Sequence, residues 1–419
     1  MTNWYGTDFN PAQAGYAQQL AEASGANAKL YDESFAEFCN RPDLPQFDFI
    51  GMHGIWSWVS DENRRIITDF LRRKLKVGGV LYVSYNTQPG WAAMAPMRDL
   101  LVEHAELMGA QGHGIVPRID SALEFAGKLV SGGARYGVAN PGVAARLDAL
   151  KGQNRNYLAH EYFNRDWEPM SFSKMSRWLD DAKLSFACSA HLLDHVDAIN
   201  MPAEQQILKD IPDRSFRETV RDFLVNQQFR RDYWVRGLRQ MSALERAEKL
   251  RAQRFIMVAV REEITLKVSG AIGEAALHEN VYVPILDLLA DLRVHTLHDV
   301  ERALEGKTDF NGVLQALMIL AGKGCIQLVQ ERHDDQGGNA SSQSSESRTM
   351  QPGALLGGCS SAGLTGHRWW RWREPFRTVV PAGVQGRAER SCGLGPLHPA
   401  GTGGARTAHA HRRQGCRNA

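Results

Sequence analysis

Two rhythms of apolar and polar positions alternate along residues 1 to about 92. The aromatic and β-branched runs WYGTDF, AKLYDES and FDFIGMHGIWSWV read as strands, and stripes of 3.6-residue period between them read as helices. Pro11 to Ser24 is one such helix, with proline in its first turn and Gly25 just past its end. Another starts after Ser60, which caps it, with Asp61 and Glu62 opening its first turn. Its apolar stripe is Ile66, Ile67, Phe70, Leu71 and Leu75. Gly78-Gly79 is expected to end that helix, and VLYVSYN is the next strand. Strands separated by helices predict a parallel sheet with helices on its faces.

The rhythm then changes. Residues 93–169 read as a helical insertion with a glycine break at 131–133, and 170–202 add one helix and one strand that return to the same sheet. Residues 203–270 form a charged middle region, expected to be helical throughout 203–255. Residues 271–330 form a small, mainly helical domain that ends in a strand, winged-helix-like in pattern. From 331 to 419 apolar periodicity vanishes: the stretch holds twelve Arg but no Lys, Ile or Tyr. Such text cannot bury enough surface to offset its ordering entropy. Two readings stand, a disordered basic tail or an out-of-frame translation of GC-rich DNA, and the bias against Lys and Ile favours the second.

Composition narrows the class of protein. The formal net charge of +2 makes no case for nucleic acid or an acidic membrane. No apolar run approaches the roughly 20 residues that span a bilayer, and MTNWYGTDFN lacks the features of a secretory signal. Six cysteines lie scattered without CxxC or metal-ligand spacing. The expectation is a cytoplasmic protein with reduced thiols, no metal, no membrane and no nucleic-acid partner.

Several polar residues stand where strands end. Asp8 follows the first strand, where a carboxylate can accept both hydroxyls of a ribose or cap a helix. Asp32 follows the second and can meet an adenine amine or serve as an ordinary loop carboxylate. In HGIWSWV, His53-Gly54 lets a backbone approach a ligand closely, with Trp56 and Trp58 as pocket walls; the other reading is a buried aromatic strand end. Tyr85 and Asn86 end VLYVSYN and can hold an amine, or they belong to turn chemistry and core packing. No Ser-His-Asp, Cys-His or HExxH arrangement is evident.

The run HGIWSWVSDENRRIITDFLRRKLKVGGVLYVSYNTQPGW (53–91), with YLAHEYF (157–163) and QFRRDYWVRG (228–237), resembles class I S-adenosylmethionine-dependent methyltransferases that carry a methyltransferase regulatory domain, among them bacterial protein lysine methyltransferases. The resemblance covers about residues 4 to 330. It implies a Rossmann-like sheet and S-adenosylmethionine as cofactor. Asp8 and Phe9 would border the ribose, Asp32 and Glu33 the adenine, and His53 and Gly54 the methionine end. Tyr85 and Asn86 become the catalytic candidates, and Trp56, Trp58, Trp91, His160, Glu161 and Tyr162 the substrate pocket. The acceptor would be a protein lysine or another amine, and the insertion a contact for a homodimer.

One departure concerns the glycine-rich turn. Such enzymes open with a helix, a strand and a GxGxG turn, and no such turn follows a strand here. The expectation is therefore an incomplete sheet, with a chain truncated at its start and frameshifted at its end. The second functional reading is a catalytically silent interaction or dimerisation module derived from a methyltransferase.

Overall fold

The computed structural model describes residues 3–109, 112, 114–202 and 207–330. The expectations for 331–419 lie outside the described residues.

The chain opens with β1 (Trp4–Thr7), α1 (Pro11–Ser24) and β2 (Ala28–Tyr31). The strands pair in parallel, with Trp4 opposite Ala28 and Thr7 opposite Tyr31. Asn10 caps α1 by accepting from the Ala12 N–H, and Gly25 closes it at φ +68°, a left-handed conformation that costs glycine little. Next come α2 (Phe35–Cys39), β3 (Phe47–Met52), a 3-10 turn (Trp56–Trp58), α3 (Asp61–Lys74) and β4 (Leu75–Asn86). Ser60 caps α3 as its sequence demands, and Ile67, Phe70 and Leu71 are buried. Gly78-Gly79 does not end that helix. Both glycines lie inside β4, where Gly78 takes φ +81° and the pairing with β3 slips between Phe47 and Phe49. An irregular strand, not a helix end, needed them.

The insertion consists of α4 (Ala95–Leu107), α5 (Ile115–Ser131), α6 (Arg135–Ala139), α7 (Gly142–Lys151) and α8 (Arg155–Glu161). It buries a core of its own, centred on Met97, Leu101, Ile119, Leu123, Leu147 and Leu158. The chain then returns to the sheet through α9 (Phe172–Asp180) and β5 (Leu184–Ser189), and continues through α10 (Asp197–Asn200), α11 (Arg214–Leu224) and β6 (Phe229–Arg236). The expectation of a helical 203–255 is thereby corrected: β6 is an interior strand.

The larger sheet has the order β3-β4-β6-β5. β3 and β4 run parallel, but β6 is antiparallel to β4 and to β5, so the sheet is mixed rather than purely parallel. β1 and β2 form a separate two-stranded ladder, although Tyr5 meets Phe47 of β3 edge to face at 5.6 Å between ring centroids. The core covers one face of the larger sheet. Ile50, Met52, Leu81, Val83, Leu184 and Trp234 pack there against Phe70 and Leu71 of α3 and Met175 and Leu179 of α9.

The remaining elements are α12 (Ala243–Arg251), β7 (Arg254–Met257), the hairpin β8 (Lys267–Gly270) and β9 (Gly273–Ala276), α13 (Glu279–Leu289), β10 (His295–Thr296), α14 (Leu297–Ala303), α15 (Phe310–Gly322) and β11 (Ile326–Val329). β7 lies between β10 and β11, antiparallel to both. This sheet and helices α13 to α15 enclose a separate core that includes Ile285, Leu289, Val300, Leu317 and Leu320. The mainly helical region expected over 271–330 therefore pairs two of its strands with β7, from the region before it, in a three-stranded antiparallel sheet.

Candidate cofactor and acceptor site

The candidate residues stand at the carboxyl ends of β1 to β4, where backbone ladders stop and polar groups become free for a ligand. At the first pair of strands, the Asp8 N–H donates to the Tyr31 carbonyl at 3.1 Å. The Asp8 carboxylate accepts from the Asn10 N–H at 2.9 Å. The helix cap is thus Asn10 and not Asp8, which leaves Asp8 as a half-exposed carboxylate at the strand tip. Phe9 beside it is 79% exposed. Asp32 is exposed. Glu33 forms an ion pair with Arg41 through Oε1, while its Oε2 is buried without a partner. An orphaned carboxylate oxygen is costly, and a ligand amine is one way to satisfy it.

At the second pair, His53 Nδ1 lies 2.8 Å from the Tyr82 hydroxyl, and the two rings stack at 5.9 Å. The Gly54 N–H donates to Ser84 Oγ at 2.7 Å. Gly54 has φ +66°, and a Cβ there would meet nothing within 4 Å. Its glycine serves the backbone conformation, and the space beside it is open.

Asn86 is pinned at both ends of its backbone. Its N–H donates to Ser57 Oγ at 2.8 Å, and its carbonyl accepts from the Met170 N–H at 2.9 Å. Asn86 is 7% exposed, and its side-chain amide makes no hydrogen bond among the described residues. The segments that hold Asn86 are themselves stapled by the buried Arg64. Its guanidinium donates to the Trp56 carbonyl at 3.2 Å and to Glu168 at 2.8 Å, and the Glu168 N–H donates to the Ser57 carbonyl.

An aromatic group lies at the core of the insertion, where Trp91 and Tyr162 are buried and Trp167 packs against them. Trp58 and Trp91 lie 6.3 and 5.1 Å from Trp167, and Tyr162 lies 6.0 Å from Trp91. Arg146 sits over Trp91 at 4.0 Å and Arg98 over Trp167 at 5.0 Å, so these ring faces are suited to cations. Glu161, at the end of α8, is largely buried, and burial pushes its carboxyl up to about 7. His160 is exposed.

Trp56 and Tyr85 lie elsewhere, each 0% exposed. Trp56 stacks edge-on with Trp178 at 6.0 Å and belongs to the core beneath the site. Tyr85 points to the same core and donates to Asp232 at 2.9 Å. Asp232 in turn accepts from Arg230 at 3.0 Å, and Arg230 also reaches Asp222 at 2.6 Å and Glu218 at 2.9 Å. Sequence reasoning missed this network, along with Trp167, Arg146 and Ser57. The signal was the alternation in FRRDYW (229–234), where every second residue is buried whatever its charge.

Burial drives the network's titration. It pushes Asp222 up to about 7 against the pull of Arg230, raises Asp232, and with the Asp232 charge holds Tyr85 well above its usual range. Burial also opposes the Arg230 charge, but Asp232, Tyr85 and Asp222 more than offset it. Three acids around one guanidinium leave room for a retained proton.

A groove of about 510 Å³ between α5 and α7 is lined by Asp120, Glu124, Lys128, Asp148, Lys151 and Arg155, among others. It belongs to the insertion and includes none of the strand-tip residues. Among the described residues, no group of His, Cys, Asp and Glu could hold a metal ion, and no helix is long and apolar enough to cross a membrane.

Known proteins resemble this chain in sequence and in fold. Residues 154–236 match the model of the predicted methyltransferase regulatory domain. The Synechocystis protein sll1526 is 44% identical over 324 residues, covering 77% of this chain and 63% of its own length. RP789 of Rickettsia prowazekii is 25% identical over 248 residues, 54% of this chain and 40% of that protein. The chain thus spans less than two thirds of these relatives. Among solved structures, PKMT2 from Rickettsia typhi in complex with AdoHcy superposes with a TM-score of 0.56 at 19% identity, covering 77% of this chain and 66% of that one. The chain thus has the fold of that solved structure and carries, at residues 154–236, a segment similar to the predicted methyltransferase regulatory domain.

Proposed function

We propose that the chain contributes the cofactor and acceptor edges of an S-adenosylmethionine-dependent methyltransferase acting on an amine, with protein lysine as the foremost substrate. The observation that supports this most is the row of groups at consecutive strand tips: the Asp8 carboxylate, the unpartnered Glu33 Oε2, the open space at Gly54 and the unpartnered Asn86 amide.

These groups fit the cofactor's chemistry. Asp8 can accept from ribose hydroxyls, the orphaned Glu33 oxygen from an adenine amine, and Gly54 allows close backbone approach. When bound, S-adenosylmethionine supplies an electrophilic methyl group. The protein must then hold a neutral amine in line with it, so positioning carries most of the rate. The half-buried Trp58 and Trp167 supply apolar walls, and desolvation lowers an amine's pKa and favours its nucleophilic form. Glu161, poised near neutrality, takes the proton that the acceptor ammonium releases. Asn86 orients the nitrogen, and Tyr85 acts from below as a positioning residue that sets the end of β4.

Calorimetric titration with S-adenosylmethionine, beside Asp8→Ala and Glu33→Gln, tests the reading. Binding in the micromolar range that weakens in both variants is expected. Silence at millimolar cofactor would overturn the enzymatic reading for this chain and favour the interaction module.

A further inference from the structure

An ordinary surface helix buries its apolar stripe and shows its polar face to water. α11 does the reverse. Asp222 is 1% exposed and, with Glu218, is drawn into the network around Arg230. Thr219 bonds to Ser173 of α9 at 2.6 Å on the same inner side. The outer side carries Phe216, 55% exposed, and Phe223, 66% exposed, with the half-buried Val220 and Leu224 between and beside them. These residues recur at helical spacing and form one continuous stripe. Just before the helix, Ile207 is 51% exposed.

One flank of that stripe is basic. Arg214, Arg217 and Arg221 follow one another around the helix, and none pairs with a carboxylate among the described residues. Arg214 donates to the Ala187 carbonyl at 2.6 Å, and Arg221 donates to the Asp194 carbonyl. Neither contact neutralises charge. The helix thus shows an apolar stripe beside three arginines that have no carboxylate partner among the described residues, although its own acids are turned inward.

We propose that the outer face of α11 is a docking site for an acidic amphipathic helix of a partner protein. The partner's apolar side chains would cover Phe216 and Phe223, and its carboxylates would meet Arg214, Arg217 and Arg221. Charge placement decides against the other occupants. A second copy lying antiparallel would set the arginine flank against its own equivalent. A membrane-bound helix keeps its polar face in water, whereas the polar face of α11 is locked against β6 and α9. The proposal does not depend on cofactor binding, so it can fail while the methyltransferase reading holds.

The test uses the full chain and two labelled synthetic helical peptides of about four turns, each with a leucine stripe, one flanked by glutamates and the other by lysines. Fluorescence anisotropy is expected to show the glutamate peptide binding about tenfold tighter or more. Phe216→Ser with Phe223→Ser should abolish that binding; both positions are exposed, so circular dichroism should be unchanged. Arg217→Glu with Arg221→Glu should invert the preference toward the lysine peptide. Equal binding of both peptides by the unaltered chain would overturn the proposal. So would self-association in sedimentation velocity that Phe223→Ser dissolves, or capture by anionic phosphatidylserine vesicles without peptide preference.

Discussion

β4 and β6 lie side by side in one sheet, yet they are built on opposite principles. The inner face of β4 presents Leu81, Val83 and Tyr85, while that of β6 presents Arg230, Asp232 and Trp234. β4 is held by removal of apolar surface from water, at about 25 cal/mol per Å². β6 carries charges into the same layer and must neutralise them on the spot, with acids from its own strand and from α11 and with the Tyr85 hydroxyl. A buried network of this kind adds little net stability over apolar packing, but it is intolerant of losing one member. The comparison teaches that burial alone does not require apolar residues. It requires that nothing be left uncompensated.

The comparison breaks most decisively at Arg230. Arg230→Met leaves the buried Asp222 and Asp232 and the half-buried Glu218 without their cation and should cost about 3–5 kcal/mol in chemical denaturation. Leu81→Ala in β4 leaves only a cavity and should cost about 2–5 kcal/mol. Their pH responses should differ: the Arg230→Met chain recovers stability in acid, where the carboxyls are neutral, and the Leu81→Ala chain does not. An Arg230→Met variant as stable as wild type at neutral pH would end the contrast.

Next in size is Gly90, in the turn after β4. A Cβ there would lie 2.4 Å from the Gln227 carbonyl just before β6, and backbone cannot move aside as a flexible side chain does. Gly90→Ala should cost about 1–3 kcal/mol in thermal unfolding and weaken any cofactor binding with it. A neutral result would show that the two strand ends are not rigidly apposed.

The titration of Asp222 sharpens the picture further. Its folded pKa of about 7 lies above the ordinary value of 3.8, so between these values the folded state holds a proton that the unfolded state has lost. That contribution is full below about pH 4 and is lost as pH rises through 7, on the order of a few kcal/mol. Asp222→Asn should flatten the decline of thermal midpoint between about pH 4 and 7. A slope unchanged in this variant would assign the retained proton to another acid.

Tyr85→Phe removes one hydrogen bond to a buried carboxylate and should cost about 1.5–3 kcal/mol by urea denaturation, with most of the fold intact. The smallest effect belongs to the exposed end of β4, where Lys76 pairs with Asp48 at 2.9 Å. Lys76→Ala should change stability by less than about 0.5 kcal/mol. A larger loss there would mean that surface charge, too, helps to set strand position.

Where the pattern was apolar and periodic, the sequence was readable to the residue. The helix from Pro11 to Ser24, the Ser60 cap and the strand from Trp4 to Thr7 stand as their residues predict. β6 was not readable, because Arg230, Arg231 and Asp232 look like solvent-facing text until their partners are known. The strand-tip positions of Asp8, Gly54 and Asn86 followed from element order. That Trp56 and Tyr85 face the core did not, since side-chain direction at the end of a strand depends on what packs beneath it.

Local chemistry in the chain itself therefore determined element type and helix limits where caps are strong, as along α1 and at the start of α3, because caps, glycines and periodicity act over a few residues. Tertiary structure alone decided the strand order, the antiparallel insertion of β6 and which face of α11 is hidden. Those outcomes rest on pairing Arg230 with acids from 8 to 12 residues earlier and with Tyr85 through Asp232, 147 residues away. No local rule of propensity or patterning carries that information, because the cost of a buried charge depends on groups that only folding brings near.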